Sequence, residues 1–597
     1  MIGSFHRWPA RGTLLASIVL VLFFTFLHQL YLCRAHPDAL YMDSLRLLWQ
    51  LNRAHAGEFS LFELWRQGGG HRGLIYQAVL MANIKFFSLN VLLANRLTGV
   101  VIGAIVMLII TGFMRSLRRA GAPGNARCNT IALVFSLLTA LLCFSLEGFE
   151  LLTLDLGLAN WLKNLLFIGY YVLLSRQLEP GNASAGMPSW LALSMCGFLI
   201  VLFAGMGWSY AFVASVLCVQ AAVLWSRRHQ LRFQFSLKIS LPALFALCGL
   251  LVYIIAGGGV GVRGGATAPA PGLFSSLMLI PFALGSAWAS RDGLSYFGLD
   301  SAVSFWLGAV TAVIALLALV ARLRRGVESG SLLPLYLLAY GGMTAISVSF
   351  ARGEGGPAAV MASRYFMDVI LFLIGTTWLS AEWLMVDGEH SRPWLAGAGI
   401  ACAILLSLQV ASYSAEWKLA PYRAENFKAM NAALLQGVPD QASADMLQSP
   451  LQHAQGGAKV MRDLGLAVFK SASGRLCSNL DIIRPSGWNQ PEPDGIWSEA
   501  HAQLQIPACS CELIADVHLP TSFTARSLVL ADPAATGPTR LELLPGASQA
   551  VHISPSAFAR IVRIDLSSDT VPARDFPGQA DVRKLGAWWT GLRFACR

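Results

Sequence analysis

The chain has 597 residues, of which 55% are hydrophobic and only 13% charged, and its mean hydropathy is +0.56. Those figures exclude an ordinary soluble globular protein and make a bilayer the solvent for most of the chain. The net charge of +11 requires no nucleic-acid partner, because much of it falls in short loops between apolar blocks.

Taken in order, the apolar blocks near 13–32, 91–113, 130–146, 157–175, 190–206, 209–226, 239–256, 303–321, 332–350, 366–385 and 394–412 each have the length of a helix crossing a hydrocarbon core of roughly 30 Å. The first is read as a retained helix, since no small-residue cleavage site follows Leu32. Arg115, Arg118, Arg119 and Arg127 occupy one loop, Arg227, Arg228, Arg232 and Lys238 a second, and Arg322, Arg324 and Arg325 a third. These loops alternate, so the positive-inside rule places them and the N-terminus in the cytoplasm and everything after 412 outside. The expected organisation is a polytopic helical domain over 1–412, a polar helical connector over 413–476 and a domain of antiparallel strands over 477–597.

Two external loops are long, 33–90 and 257–302. The first carries apolar residues at helical spacing around Leu45, Leu48 and Leu51 and again at Leu61, Leu64 and Trp65, which predicts short amphipathic helices at the interface. It also holds an external basic cluster, Arg34, Arg46, Arg53, Arg66, Arg72 and Lys85, suited to headgroups or to a bound phosphate. Asp43, with Asp38 before it, is placed to act as a general base toward a hydroxyl. Asp43 also fits as the N-cap of SLRLLWQL, and the two roles are compatible. The second loop opens with GGGVGVRGGATAPAPG at 257–272, which follows a membrane helix and so is a flexible loop or lid and no nucleotide fingerprint.

Glu147, Glu150 and Asp155 lie between the third and fourth spans, and Lys163 stands inside an apolar stretch, where a charge is paired or functional. Between the ninth and tenth spans, SFARGEGGPAAVMASRYFMD brings Arg352, Ser363, Arg364 and Tyr365 to the mouth of a helix. Arginine forks there suit phosphate oxygens, and interface anchoring is the plainer role.

In the C-terminal region CELIADVHL, ARSLVLAD, TRLELLP, SQAVHIS and ARIVRIDLS alternate between turn residues, the pattern of an antiparallel sandwich. Trp488 and Trp497 are candidates to stack on an acceptor sugar or to fill the core. Cys477, Cys509, Cys511 and Cys596 form an even set in a compartment inferred to be oxidising, so disulfides are expected, with Cys509 and Cys511 pairing to Cys477 and Cys596 in an order the sequence leaves open.

A first external loop with an early acidic residue and a later His71-Arg72, many further spans, a late Arg-Gly to Ser-Arg-Tyr segment and a soluble C-terminal domain together resemble bacterial membrane glycosyltransferases of the GT-C superfamily. The resemblance spans nearly the whole chain, although Gly70 stands where related chains carry Glu before His-Arg. It implies transfer, with inversion, from a polyprenyl-phosphate sugar to a hydroxyl of a cell-surface glycan or lipid-linked saccharide at the bacterial inner membrane. It makes Asp43 the catalytic acid-base residue with Asp38 as alternate, gives donor phosphate to His71, Arg72, Arg352, Ser363, Arg364 and Tyr365, and gives acceptor binding to Glu150, Trp488 and Trp497. The module appended to such transferases is a jelly-roll-like sandwich, which Gly487, Trp488, Pro491, Trp497 and the closing Asp581, Arg583 and Gly586 resemble. A phosphate monoester leaving group does not demand a divalent metal, and no metal site or other cofactor is expected. The competing expectations are an O-antigen ligase or polymerase, whose donor carries pyrophosphate, and a lipid-linked-sugar flippase, which would place paired charges deep in several spans.

Overall fold

The computed structural model describes residues 11–67, 72–119, 126–179, 186–228, 233–256, 272–289, 291–386, 392–470, 482–492, 494–508, 511–535, 537–556, 559–576 and 579–595. The chain divides into two compact units. One comprises Met1–Ala35, Gly57–Val79 and Leu92–Pro421, and the other His36–Ala56, Leu80–Val91 and Tyr422–Arg597.

The first unit is helical. Among the described residues nine helices are long and apolar enough to cross a membrane, from Gly12–Ala35 to Trp394–Leu435. The two other expected spans also fold as helices, Leu156–Gln177 and Met187–Phe203, but the first carries Asn160, Lys163 and Asn164 and the second has only 17 residues. The described part of the loop expected over 257–302 contains the apolar helix Leu273–Gly285 and the short helix Arg291–Tyr296, while 257–271 lies outside the described residues. At 13 residues, LFSSLMLIPFALG is shorter than the roughly 20 that a spanning helix needs, so it reads as a loop when only long apolar runs are sought.

Glycines set the closest helix crossings. A β-carbon on Gly308 would collide with the carbonyl oxygen of Pro281, and one on Gly285 with that of Ser304, so helices Leu273–Gly285 and Ala302–Arg325 touch backbone to backbone. Small residues at a helix crossing let the backbones approach this closely. Gly308→Val is therefore expected to lower stability by about 1–3 kcal/mol through overpacking. Thermal unfolding in detergent reads this, and an unchanged midpoint would refute the close crossing.

The expected boundary at 412 falls within a helix. Helix Arg392–Leu435 continues unbroken for 44 residues through Pro421, and the division between units falls after that proline. The apolar window ended at 412 because the sequence turns polar there, a change of composition and not of secondary structure.

In the second unit, helix Asp43–His55 packs on helix Leu451–Leu464, with Gly457 against Leu45 and the rings of Trp49 and His453 5.4 Å apart. The amphipathic periodicity expected around Leu45–Leu51 is present, and Leu45, Leu47 and Leu48 are its buried face. Of the other short helices in 33–90, Leu61–Arg66 belongs to the first unit and Ile75–Phe87 is divided between the units after Val79.

Eight strands follow: β1 Ile483–Trp488, β2 Ile496–Ile506, β3 Glu512–His518, β4 Arg526–Ala531, β5 Thr539–Leu543, β6 Ser548–Ile553, β7 Arg560–Leu566 and β8 Trp588–Ala595. Five of them, β3 to β7, are the segments whose alternation marks them as strands. All pairs are antiparallel, in the order β5-β4-β7-β2-β8-β3-β6 with β1 on β2. Strand β2 pairs with β8 at Ile496 and Trp497 and with β7 from His501 to Ile506, so one long strand joins two halves of a nearly closed sheet. Its core holds Leu504, Val517, Leu528, Leu543, Val562, Ile564 and Trp589. Cys511 is buried against Phe594, while Cys477, Cys509 and Cys596 lie outside the described residues.

Candidate functional site

In the helical unit, helix Ala126–Cys143 is followed by a 3-10 turn, Leu146–Gly148, and the short helix Phe149–Thr153, which carries Glu150. Ser363, Arg364 and Tyr365 open helix Ser363–Val386. The Ser363 hydroxyl donates to Glu150 Oε2 at 2.8 Å, and Arg364 Nη1 lies 3.7 Å from Glu150 Oε1. Arg364 sits 5.7 Å from the Tyr365 ring centre, and Arg352 Nε donates to the Tyr365 hydroxyl at 3.0 Å. Five expected site residues, Glu150, Arg352, Ser363, Arg364 and Tyr365, thus form one connected polar group. Glu150 joins it as the partner of Ser363 and Arg364, a role sequence position did not reveal. Arg364 remains 46% exposed beside that carboxylate, so its fork can still reach a further anion.

One helical turn past Arg364, Asp368 faces Lys163. Nζ of Lys163 is 2.8 Å from Asp368 Oδ1, and neither side chain is exposed at all. The Tyr340 hydroxyl donates to the same oxygen at 2.7 Å, and the ring of Trp208 covers the ammonium at 3.8 Å. Asp368 Oδ2 is buried with no hydrogen-bond partner among the described residues. The sequence flags Lys163 but not Asp368, although a lone lysine in an apolar helix is itself a signal to look for a carboxylate in another span. A second pair, Arg322 Nη1 to Glu382 Oε2 at 2.8 Å, is joined by the Trp378 indole on Glu382 Oε1 at 2.9 Å.

Arg72 is 97% buried. It donates to the Tyr253 carbonyl at 3.0 Å and lies 4.9 Å from that ring's centre, so it braces helix Phe233–Ala256. His71 lies outside the described residues.

In the second unit Asp43 is the first residue of its helix and not the cap. The cap position is Met42, at φ 57° and with no side-chain hydrogen bond, and its N–H donates to the Leu447 carbonyl at 2.8 Å. Asp43 is half exposed and 3.3 Å from Arg46 one turn on, an arrangement that complements the helix dipole. Asp38 accepts from Asn431 Nδ2 at 2.9 Å and lies 3.6 Å from His36 Nε2. Burial pushes the Asp38 carboxyl above the usual range, against the pull of His36. Trp488 donates from its indole to the Gln503 carbonyl at 2.7 Å and meets Trp589 edge-on. Trp497 stacks on Phe523 and tilts against Trp588. Both indoles are partly buried against the sheet core.

Among the described residues no group of three or more His, Cys, Asp and Glu is arranged to hold a metal ion. No protein-family model matches the chain, and no curated protein matches it.

Proposed function

We propose that the chain is a membrane glycosyltransferase of the GT-C kind, moving a sugar from a polyprenyl-phosphate donor to a hydroxyl of a glycan or lipid-linked saccharide at the outer face of a bacterial inner membrane. The observation that carries this reading is the linked Glu150, Ser363, Arg364, Tyr365 and Arg352 group at the end of membrane-length helices, where an exposed guanidinium is oriented by a carboxylate. In the transfer the acceptor oxygen attacks the anomeric carbon, the bond to the phosphate oxygen breaks, and the acceptor proton passes to a carboxylate, for which the reading keeps Asp43. Arg352 and Arg364 receive the charge that develops on the departing phosphate. The C-terminal sheet is read as the jelly-roll-like module, on the periplasmic side.

Purified full-length chain in lipid vesicles is to be supplied with an acceptor glycan and either a polyprenyl-phosphate sugar or a polyprenyl-pyrophosphate oligosaccharide. Transfer from the monophosphate, lost in Asp43→Asn with insertion and folding retained, supports the reading. Exclusive use of the pyrophosphate donor would replace it with a ligase or polymerase. Full activity in Asp43→Asn would remove that residue from the mechanism.

A transport reading draws on a separate observation. Lys163–Asp368 and Arg322–Glu382 are charge pairs inside the helical unit, which a flippase is expected to carry. Donor movement across sealed vesicles without any transfer product would favour it.

A further inference from the structure

The second unit contains a cavity of about 560 Å³ whose lining is polar on several sides, and no residue of it belongs to the Glu150–Arg364 group. Its size is within the range of small-molecule sites, about 300–1,000 Å³. Asp38, His36, Asn431, Lys428, Lys470 and Gln505 all face it.

Three observations set this cavity apart from a packing gap. Gln505, on β2, is 93% buried, and its Oε1 has no hydrogen-bond partner among the described residues, so an acceptor stands ready at the wall. A buried carbonyl oxygen of that kind is costly unless something donates to it. Asp38 is held by the Asn431 amide, which leaves its other oxygen directed to His36 at 3.6 Å.

The backbone around the cavity is strained. Eight non-glycine residues among those described have positive φ, and four of them line this one cavity: His36 at 44°, Ser88 at 54°, Leu89 at 59° and Ala467 at 49°. Such conformations persist only where the surroundings impose them, and they concentrate at ligand sites. Here the frame is explicit. Asn83 and Asn90 exchange hydrogen bonds at 2.9 and 3.2 Å across the turn, and Ala467 N–H donates to the Ser88 carbonyl at 3.1 Å.

The ligand class follows from what the walls offer. Carboxylate and amide oxygens accept, and amide and ammonium groups donate, within one compact space. Hydroxyl groups match that mixture because each both donates and accepts. Two ammonium groups, Lys428 and Lys470, outnumber the single carboxylate on the wall, Asp38, and the His36 ring lies beside them. Lys428 is already tied to Glu425 at 2.8 Å, whereas Lys470 projects from an exposed position. We propose that this cavity binds a short acidic saccharide, its hydroxyls shared among Asp38, Asn431 and Gln505 and its anionic group beside Lys470. Binding of this kind needs no lipid donor, and the cavity shares with the transfer reading only Asp38, the alternate to Asp43.

The test uses full-length protein in detergent with trigalacturonic acid and, as a neutral counterpart, maltotriose, titrated calorimetrically at low ionic strength. The expected result is saturable binding of trigalacturonic acid at least tenfold tighter than of maltotriose. Lys470→Ala, a surface change, is expected to remove the preference for the acid, and Gln505→Leu to weaken both probes tenfold or more while the melting temperature holds. Should Gln505→Leu unfold, Lys470→Ala still decides the matter. Absence of saturable binding, a preference for maltotriose, or an unaltered preference in Lys470→Ala overturns the proposal, whatever the outcome of the donor assays.

Discussion

Replacing Asp368 alone by leucine is expected to destabilise the helical unit by about 3–5 kcal/mol, the usual consequence of leaving one member of a buried ion pair behind. Lys163 has no exposed surface, and among the described residues its ammonium would keep, without the carboxylate, the faces of Trp208 at 3.8 Å and Phe167 at 5.8 Å and the Tyr340 hydroxyl at 3.4 Å. A cation–π contact offsets a couple of kcal/mol at best, far less than burial of a bare charge costs. The double variant Lys163→Leu with Asp368→Leu removes both charges and is expected to recover most of the loss, because a buried pair exchanged for apolar groups is often neutral. Thermal unfolding and size-exclusion profiles in detergent distinguish the variants. Wild-type stability in the single variant would show that the pair bears no load. A stable double variant that has lost transport or transfer would assign the pair to function.

That pair also shows where sequence reading stops. Lys163 is conspicuous because a charge inside an apolar helix breaks a one-dimensional pattern. Asp368 is less so, since it sits near a helix mouth among polar neighbours, and the two are 205 positions apart. The same holds for Glu150 and Ser363, separated by 213 positions. Residue types and helix ends were legible, but the meeting of two helices depends on the packing of every side chain between them, and no local pattern encodes it.

The fold was legible in proportion to the length of its periodic signals. Nine long apolar helices are found among the described residues, each overlapping an expected span, and the alternation in CELIADVHL or ARIVRIDLS is realised as β3 and β7. Short or mixed signals misled. Helix Leu273–Gly285 fell below the spanning length, and helix Arg392–Leu435 changed from apolar to polar without ending. Asp43 before Ser44 reads as a cap from composition, yet the chain enters the helix one residue earlier, through a left-handed Met42 fixed by its bond to Leu447. A contact with a distant segment outweighed a local capping preference, which is worth only about 1 kcal/mol.

Arg364→Ala should separate chemistry from architecture. The side chain is 46% exposed and is held by a long contact to Glu150 and the nearby face of Tyr365, so its truncation is expected to alter stability by no more than about 0.5 kcal/mol. If it stabilises charge on a departing phosphate, the rate of transfer from a polyprenyl-phosphate sugar should fall by about 10²–10³, as for loss of one preorganised donor to a developing oxyanion. Arg364→Lys keeps the charge but not the fork, and is expected to recover only part of the rate. Glu150→Gln provides the complementary comparison. It preserves an acceptor for the Ser363 hydroxyl at 2.8 Å while withdrawing the charge that holds Arg364 in place, so kcat should fall more than KM rises. A merely structural Glu150 would instead lower the melting temperature and leave the kinetics of the surviving folded fraction unchanged. Full transfer activity in Arg364→Ala would exclude this arginine as the group that receives the phosphate charge.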